Sequence, residues 1–204
     1  MPRSCLLLVL AALVASVPLQ AQRARFGFAV GKGFVGNADS KTLAVVNGDS
    51  VAGGDQAGLH WQAFVEVPLS SPSFAFRGEL FYNRITSHSN SFSIVNGSIG
   101  KAALEDRTIG LVGSFIATVA PKAGVSPYFL LGAGMFQSKL GTNPDPQSSQ
   151  VVNTAYGLGL GLQTGMGLRV RMGKRNLLFE LGYRQALNNT RGAAFMPLSV
   201  GLTF

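Results

Sequence analysis

One segment near the C-terminus alternates so strictly that it restricts the chain to β-structure. Between Tyr156 and Met172, the even-numbered positions carry large apolar side chains, except for one threonine. The odd-numbered positions between them carry only glycine, glutamine and arginine. Successive side chains of a strand point to opposite faces, so one face is apolar and the other is small or polar. A helix would mix the two sets, and each glycine in it would cost about 1 kcal/mol.

Seven further segments show the same alternation, which predicts about eight strands. The strong segments are Leu59–Val67, Phe74–Tyr82, Leu177–Tyr183 and Met196–Phe204, and the weaker ones are Arg25–Phe34, Thr108–Thr118 and Tyr128–Phe136. Long polar connections, at 35–58, 84–106, 137–153 and 188–193, alternate with short ones. Long loops on one side and short turns on the other are typical of an up-and-down outer-membrane barrel. The predicted fold is therefore an all-β, closed antiparallel transmembrane β-barrel of about eight strands.

The first 21 residues have the layout of a secretory signal peptide. Arg3 gives a positive start, and residues 6–17 form an apolar stretch that is too short to span a bilayer as a helix. Pro18 ends this stretch, and Ala21 suits the position before a cleavage site. We predict that residues 1–21 are the signal peptide and residues 22–204 the barrel, exported to the outer membrane.

Composition decides which face of the strands points outward. Only 13% of the 204 residues are charged, where about 25% is usual, and 26 residues are glycine. A soluble lipocalin-like barrel, the alternative, would leave a largely glycine face to cover its exterior, and glycine covers little. A lipid-facing apolar exterior fits better, because a chain in lipid must satisfy its backbone groups within a closed barrel.

With that orientation, charged residues point into the lumen, where they need partners. The predicted lumen network consists of Glu66, Arg77, Glu79, Arg169, Arg171, Glu180 and Arg184. Lys32 is different, because it falls on the lipid-facing side of its strand. It could extend toward lipid phosphates, or a β-bulge at Gly31 or Gly33 could turn it away.

Aromatic residues near the strand ends predict two girdles at the membrane surfaces. The predicted outer girdle consists of Phe34, Trp61, Tyr82, Tyr156 and Tyr183, and the inner one of Phe26, Phe74 and Phe179, with Tyr128 and Phe204 as further candidates. Tyr128 depends on the facing of its strand. If Gly132 and Gly134 point inward, so does Tyr128.

Residues suited to catalysis are few. His60 falls on the lumen side of its strand, which favours a paired structural histidine over a general base. His88, with Ser89 or Ser91, supplies the only alternative, a lipid A-modifying activity in an outer loop. The pattern predicts no enzyme, no cofactor and no metal site.

Several segments carry a family resemblance. The signal peptide and the stretches FRGELFYNR, PYFLLGAG, LLFELGYRQAL and PLSVGLTF resemble the small outer-membrane β-barrel family that includes OmpA- and OmpX-like proteins. The C-terminal alternation of Leu198, Val200, Leu202 and Phe204 is similar to the signal that the barrel-assembly machinery reads, with strand pairing as its physical basis.

We predict a non-enzymatic role in envelope integrity or surface binding through long extracellular loops, with a narrow channel for small solutes as the alternative. The predicted partners are outer-membrane lipid, lipopolysaccharide, the barrel-assembly machinery and periplasmic chaperones, around a monomeric barrel. The net charge of +8 is spread along the chain, so we expect no nucleic-acid partner.

Overall fold

The computed structural model describes residues 24–35, 42–46, 49–52, 57–94, 98–144, 153–155, 158–187 and 194–204. The predicted signal peptide lies outside the described residues and stays a prediction. No helix in the described part of the chain is long and apolar enough to cross a membrane.

The described residues form eleven strands. They are β1 (Arg25–Val35), β2 (Thr42–Val46), β3 (Asp49–Ala52), β4 (Ala57–Pro68), β5 (Phe74–Ile94), β6 (Ser98–Thr118), β7 (Val125–Pro144), β8 (Asn153–Ala155), β9 (Gly159–Met172), β10 (Arg175–Ala186) and β11 (Ala194–Thr203). Strands β2 and β3 pair with each other as a separate hairpin, and the short β8 pairs with β7.

Eight strands close into an antiparallel barrel, which confirms the predicted fold. Their order is β1–β4–β5–β6–β7–β9–β10–β11, and β11 pairs with β1 to complete the ring. A row of paired residues that leaves β1 at Arg25 passes through all eight strands and returns to β1 at Val35. The shear number of the barrel is thus ten residues, the offset from position 25 to position 35. The strands therefore tilt strongly from the barrel axis, and each row of paired residues moves toward the Val35 end of the barrel with every strand.

The two ends of the barrel differ in their hairpins. At one end the turns are tight, and β9 meets β10 through Gly173 and Lys174 alone. Gly173 has a φ of +63°, which glycine adopts without a Cβ penalty. We assign this end to the periplasm, because short turns face that side in outer-membrane barrels.

At the other end, the strands extend well beyond the prediction. Strands β5 and β6 pair as far as Ile94 and Ser98, so most of the connection predicted at 84–106 is strand. Strand β7 likewise continues to Pro144. The prediction was wrong here because it required an apolar face, whereas a hairpin beyond the membrane has water on both sides and shows no such alternation.

Alternate side chains of each strand face a buried interior and an exposed exterior. In β9, Gly161 and Gln163 are buried, while Leu160 and Leu162 are exposed. The exposed face is apolar and the buried face carries most of the charge, the reverse of a soluble barrel. Strand β1 keeps a continuous register with both neighbours through Lys32, so that lysine does face outward and no bulge turns it away.

Candidate functional site in the barrel interior

The interior of the barrel brings together charged residues from four strands on opposite walls. Glu66 of β4 and Arg77 of β5 are direct cross-strand partners. Glu180 and Arg184 lie four residues apart in β10 on the far wall, so both point inward. Because an eight-stranded barrel is narrow enough for side chains to fill, these charges meet in the middle.

Arg77 is the centre of the first cluster and is fully buried. Its Nε and Nη2 atoms donate to Glu66 Oε1 at 3.1 and 2.7 Å, and its Nη1 atom donates to Glu180 Oε2 at 2.5 Å. The same Nη1 atom lies 3.7 Å from Glu79 Oε2. One guanidinium therefore connects opposite walls of the barrel through two carboxylates.

Arg184 is the centre of a second cluster, nearer the outer end. Its Nη2 atom donates to Glu79 and, at 2.8 Å, to the Gln62 side-chain oxygen. Gln62 in turn donates to Glu180 at 3.0 Å, which joins the two clusters. The guanidinium also lies 4.1 Å from the centre of the Phe81 ring. Charge and aromatic contacts together hold Arg184 in place.

Tyr128 and Arg169 complete the network at its periplasmic side. The Tyr128 hydroxyl donates to Glu180 Oε2 at 2.8 Å, and Arg169 Nη2 lies 2.7 Å from Glu66 Oε2. Tyr128 is fully buried, so it does not belong to the inner girdle. Its inward direction follows from the facing of Gly132 and Gly134, which share the inner side of β7.

Arg171 is not part of the network, and its inclusion in the prediction was wrong. The side chain is exposed, and its Nη2 atom donates to the Pro121 carbonyl oxygen at 3.1 Å. The sequence alternation correctly placed Arg171 on the same side of β9 as the inward residues. However, Arg171 lies beside the periplasmic turn, beyond the reach of the central carboxylates.

The remaining network contains three arginines and three glutamates, so its formal charges cancel. Breaking one buried ion pair leaves an uncompensated charge and costs about 3–5 kcal/mol in proteins. Two residues absent from the predicted set, Gln62 and Tyr128, bridge these charges. Gln62 shares the inward side of β4 with Glu66, which is the sequence signal that could have identified it.

Buried apolar side chains fill the interior between the charges and further out. The outer layer includes Phe81, Phe136 and Phe195, with the Phe81 and Phe136 rings packed edge to face at 5.1 Å. A second cluster, level with Arg77, includes Phe64 and Ile116 around the Tyr128 ring. Side chains at most 4% exposed therefore fill successive levels of the lumen.

The predicted girdle residues of the described part of the chain all lie on the outward side, apart from Tyr128. The Trp61 ring stacks between Phe28 and Tyr82, with ring centres 6.4 and 6.0 Å away. Those on the outward side are Phe26, Phe34, Trp61, Phe74, Tyr82, Phe179, Tyr183 and Phe204, whereas Tyr156 lies outside the described residues. Their function as membrane girdles stays a prediction.

The predicted assembly signal lies on the outward side of β11, the strand that closes the ring against β1. Leu198, Val200 and Leu202 pair with Lys32, Val30 and Phe28. The Phe204 amide continues this pairing by donating to the Phe26 carbonyl at 2.8 Å. Recognition by the assembly machinery stays a prediction.

The histidines of the barrel provide no catalytic arrangement within the described residues. His60 is buried, and its Nε2 atom lies 3.2 Å from the Gln62 side-chain oxygen. Its ring also packs beside Phe81 and Phe195. His60 is thus a packed lumen residue, as expected. The His88 side chain lies outside the described side chains.

Fold and interior together define a class: an eight-stranded barrel with an apolar exterior for lipid and a charge-paired lumen. The model of the outer membrane protein β-barrel domain family matches residues 7–200, and the chain belongs to this family. The protein is therefore an outer-membrane β-barrel of the Gram-negative type, which confirms the predicted family and location.

Solved structures show the same fold at low sequence identity. Neisserial surface protein A matches with a TM-score of 0.54 and 10% identity, over 88% of this chain and 95% of its own. A major outer membrane protein of Thermus thermophilus matches with a TM-score of 0.55 and 13% identity, over 89% and 99%. No curated protein sequence matches the chain. At such identities the likeness concerns the fold alone.

Proposed function

We propose that this protein is a non-enzymatic, closed outer-membrane barrel that supports the envelope and presents its extended outer hairpins at the cell surface. In this proposal the lumen is a rigid core and not a passage. The charged interior holds the walls together, and the β5–β6 hairpin projects beyond the apolar band as the main surface for external contacts.

The observation that carries the proposal is the bridge across the lumen. Arg77 connects Glu66 on one wall with Glu180 on the other, and these three side chains are at most 5% exposed. Buried apolar clusters that include aromatic rings pack beside this bridge and further out in the lumen. A water-filled path would require these paired charges to separate, and each broken pair is costly.

Conductance across a planar lipid bilayer tests the closed lumen. We expect no conductance steps from the refolded wild-type protein, with a general porin in the same bilayer as the positive control. The double variant E79A/R184A removes a paired anion and cation together, so the lumen stays charge-balanced but loses filling side chains. Conductance steps from this variant but not from the wild type support a lumen closed by these side chains. Steady conductance steps from the wild type favour the narrow-channel alternative and contradict the proposal.

The lipid-modifying alternative is tested separately by mass spectrometry of lipid A. We expect identical lipid A from cells with and without the protein. A mass change that depends on the wild-type protein and is lost in His88→Ala would contradict the non-enzymatic proposal.

A further inference from the structure

The outward face of the barrel carries a row of cations on one part of its circumference, on the extracellular side of its apolar band. Lys32, Arg84, Arg107 and Lys139 are all exposed on the outward side of β1, β5, β6 and β7. Between the inner-rim aromatics and this row, the described outward positions carry no charged side chain. On β9, β10 and β11, the described outward positions at the outer end are uncharged too. Among the residues that the structure describes, the outward cations at this end therefore lie on one arc of the barrel wall.

The strand register places these residues in a single row. Lys32 pairs with Leu59, Leu59 with Arg84, Arg84 with Arg107, and Arg107 with Lys139. Arg84, Arg107 and Lys139 thus stand on three adjacent strands, about 5 Å apart at each step. We call these three residues the basic arc. Glu105, an acid nearby in β6, belongs to the next row outward, where it pairs with Thr86.

The tilt of the strands raises the basic arc above the aromatic residues. Because the row climbs by about 3 Å with each strand from β1 toward β7, Arg84, Arg107 and Lys139 lie progressively further out than Lys32. Lys32 itself lies near the level of Trp61 and Tyr82. Cations about 6 to 12 Å further out than an aromatic pair mark the transition from hydrocarbon to lipid headgroups.

Cations on three neighbouring strands form a positively charged surface that attracts anions. Arginine binds phosphate through two parallel hydrogen bonds, and lysine adds a point charge. Arg84 and Arg107 also interact within the protein, and both side chains stay exposed on the outward face. The arc spans about 10 Å across the strands, which is wide enough for more than one phosphate.

We propose that the basic arc binds the phosphate groups of a phosphorylated glycolipid of the outer leaflet, of the lipopolysaccharide type. The acyl chains of this lipid would lie against the apolar wall below, beside the Trp61 and Tyr82 rings. A headgroup with two phosphates on a sugar fits three cations on three strands better than a phospholipid with one phosphate. The inference rests on the membrane location of the barrel and is independent of whether its lumen conducts.

Titration of the refolded protein in an uncharged detergent with purified lipopolysaccharide tests this site, and the fluorescence of Trp61 provides the signal. We expect the double variant R107Q/K139Q to raise the Kd about 30-fold, from the attraction that each surface cation contributes. The matched control K122Q/K174Q removes two exposed lysines from the periplasmic turns, and we expect its Kd to stay within about twofold of the wild type. Unchanged heat-dependent gel mobility verifies that each variant folds.

The wild-type protein alone gives a second test that no folding defect can affect. We expect enzymatically dephosphorylated lipopolysaccharide and phosphatidylglycerol to bind at least tenfold more weakly than intact lipopolysaccharide, and inorganic phosphate not to displace it. Equal binding of the dephosphorylated lipid, or equal loss of affinity in both double variants, would overturn the site. Equal binding of phosphatidylglycerol would overturn the glycolipid class, and displacement by inorganic phosphate would overturn a lipid ligand.

Discussion

The inner and outer faces of the same strands follow opposite rules. Inside, Arg77 and Arg184 are fully buried, and each has carboxylate or amide partners on more than one strand. Outside, Leu131 and Leu160 are about two-thirds exposed, in a band whose described outward positions carry no charged side chain. In a soluble barrel these environments would be exchanged. The difference shows that paired charges stabilise the interior of this barrel, while apolar side chains form the surface that contacts lipid.

The largest effect is expected from breaking the interior. Arg77→Met leaves Glu66 and Glu180 without their main cation, so we expect the free energy of unfolding to fall by about 3–5 kcal/mol. Urea unfolding in lipid vesicles, followed by Trp61 fluorescence, measures this change. Arg171→Met is the matched control, because Arg171 is exposed, and we expect less than about 0.5 kcal/mol. Equal losses in the two variants would show that the buried pairs have no special importance.

A charge introduced on the outer face tests the other half of the comparison. Leu131→Arg places a cation in the middle of the apolar band, and we expect a loss of about 2–4 kcal/mol in vesicles. Gln137→Arg, on the same outward side of β7 but one row below Lys139, is expected to cost about 1 kcal/mol or less, as near an interface. Similar costs at both positions would contradict the assignment of the band to hydrocarbon.

Glycines also distinguish the two faces. A Cβ added at the inward Gly31 would overlap the Leu198 carbonyl oxygen and lie 2.6 Å from Ser199 Cα, so β1 and β11 would have to separate. We expect Gly31→Ala to cost about 1–3 kcal/mol by the same urea measurement. A Cβ at the outward Gly78 meets nothing within 4 Å. Gly78→Ala is therefore expected to be neutral or to stabilise by less than about 1 kcal/mol.

The smallest effect on stability is expected at the C-terminus. Phe204, directly after β11, and Phe26 of β1 are both outward aromatics at the inner rim, 56% and 62% exposed. We expect Phe204→Ala and Phe26→Ala each to change the free energy of unfolding by about 1 kcal/mol or less. If the C-terminal residue is read during assembly, only Phe204→Ala lowers the amount of folded protein in the outer membrane. Equal folded yields would indicate that Phe204 serves the girdle alone.

Sequence alternation could predict the faces but not the contacts across the barrel. Glu66 and Arg77 share the inward side of adjacent strands, so their pairing follows from local pattern. The contact of Glu180 with Arg77 depends on the shear of the whole barrel, which no local segment encodes. Tyr128 was ambiguous because both sides of β7 near it carry apolar residues or glycine.

Single-tryptophan quenching tests most directly the claim that the apolar face meets lipid and the polar face forms a closed interior. With Trp61 replaced by phenylalanine, Leu80→Trp places the fluorophore on the outward side of β5, and Phe81→Trp places it on the inward side. We predict that brominated lipid quenches the tryptophan at position 80 but not at 81, and that aqueous acrylamide quenches neither. Lipid quenching at position 81 would contradict the facing, and acrylamide quenching there would contradict the closed lumen.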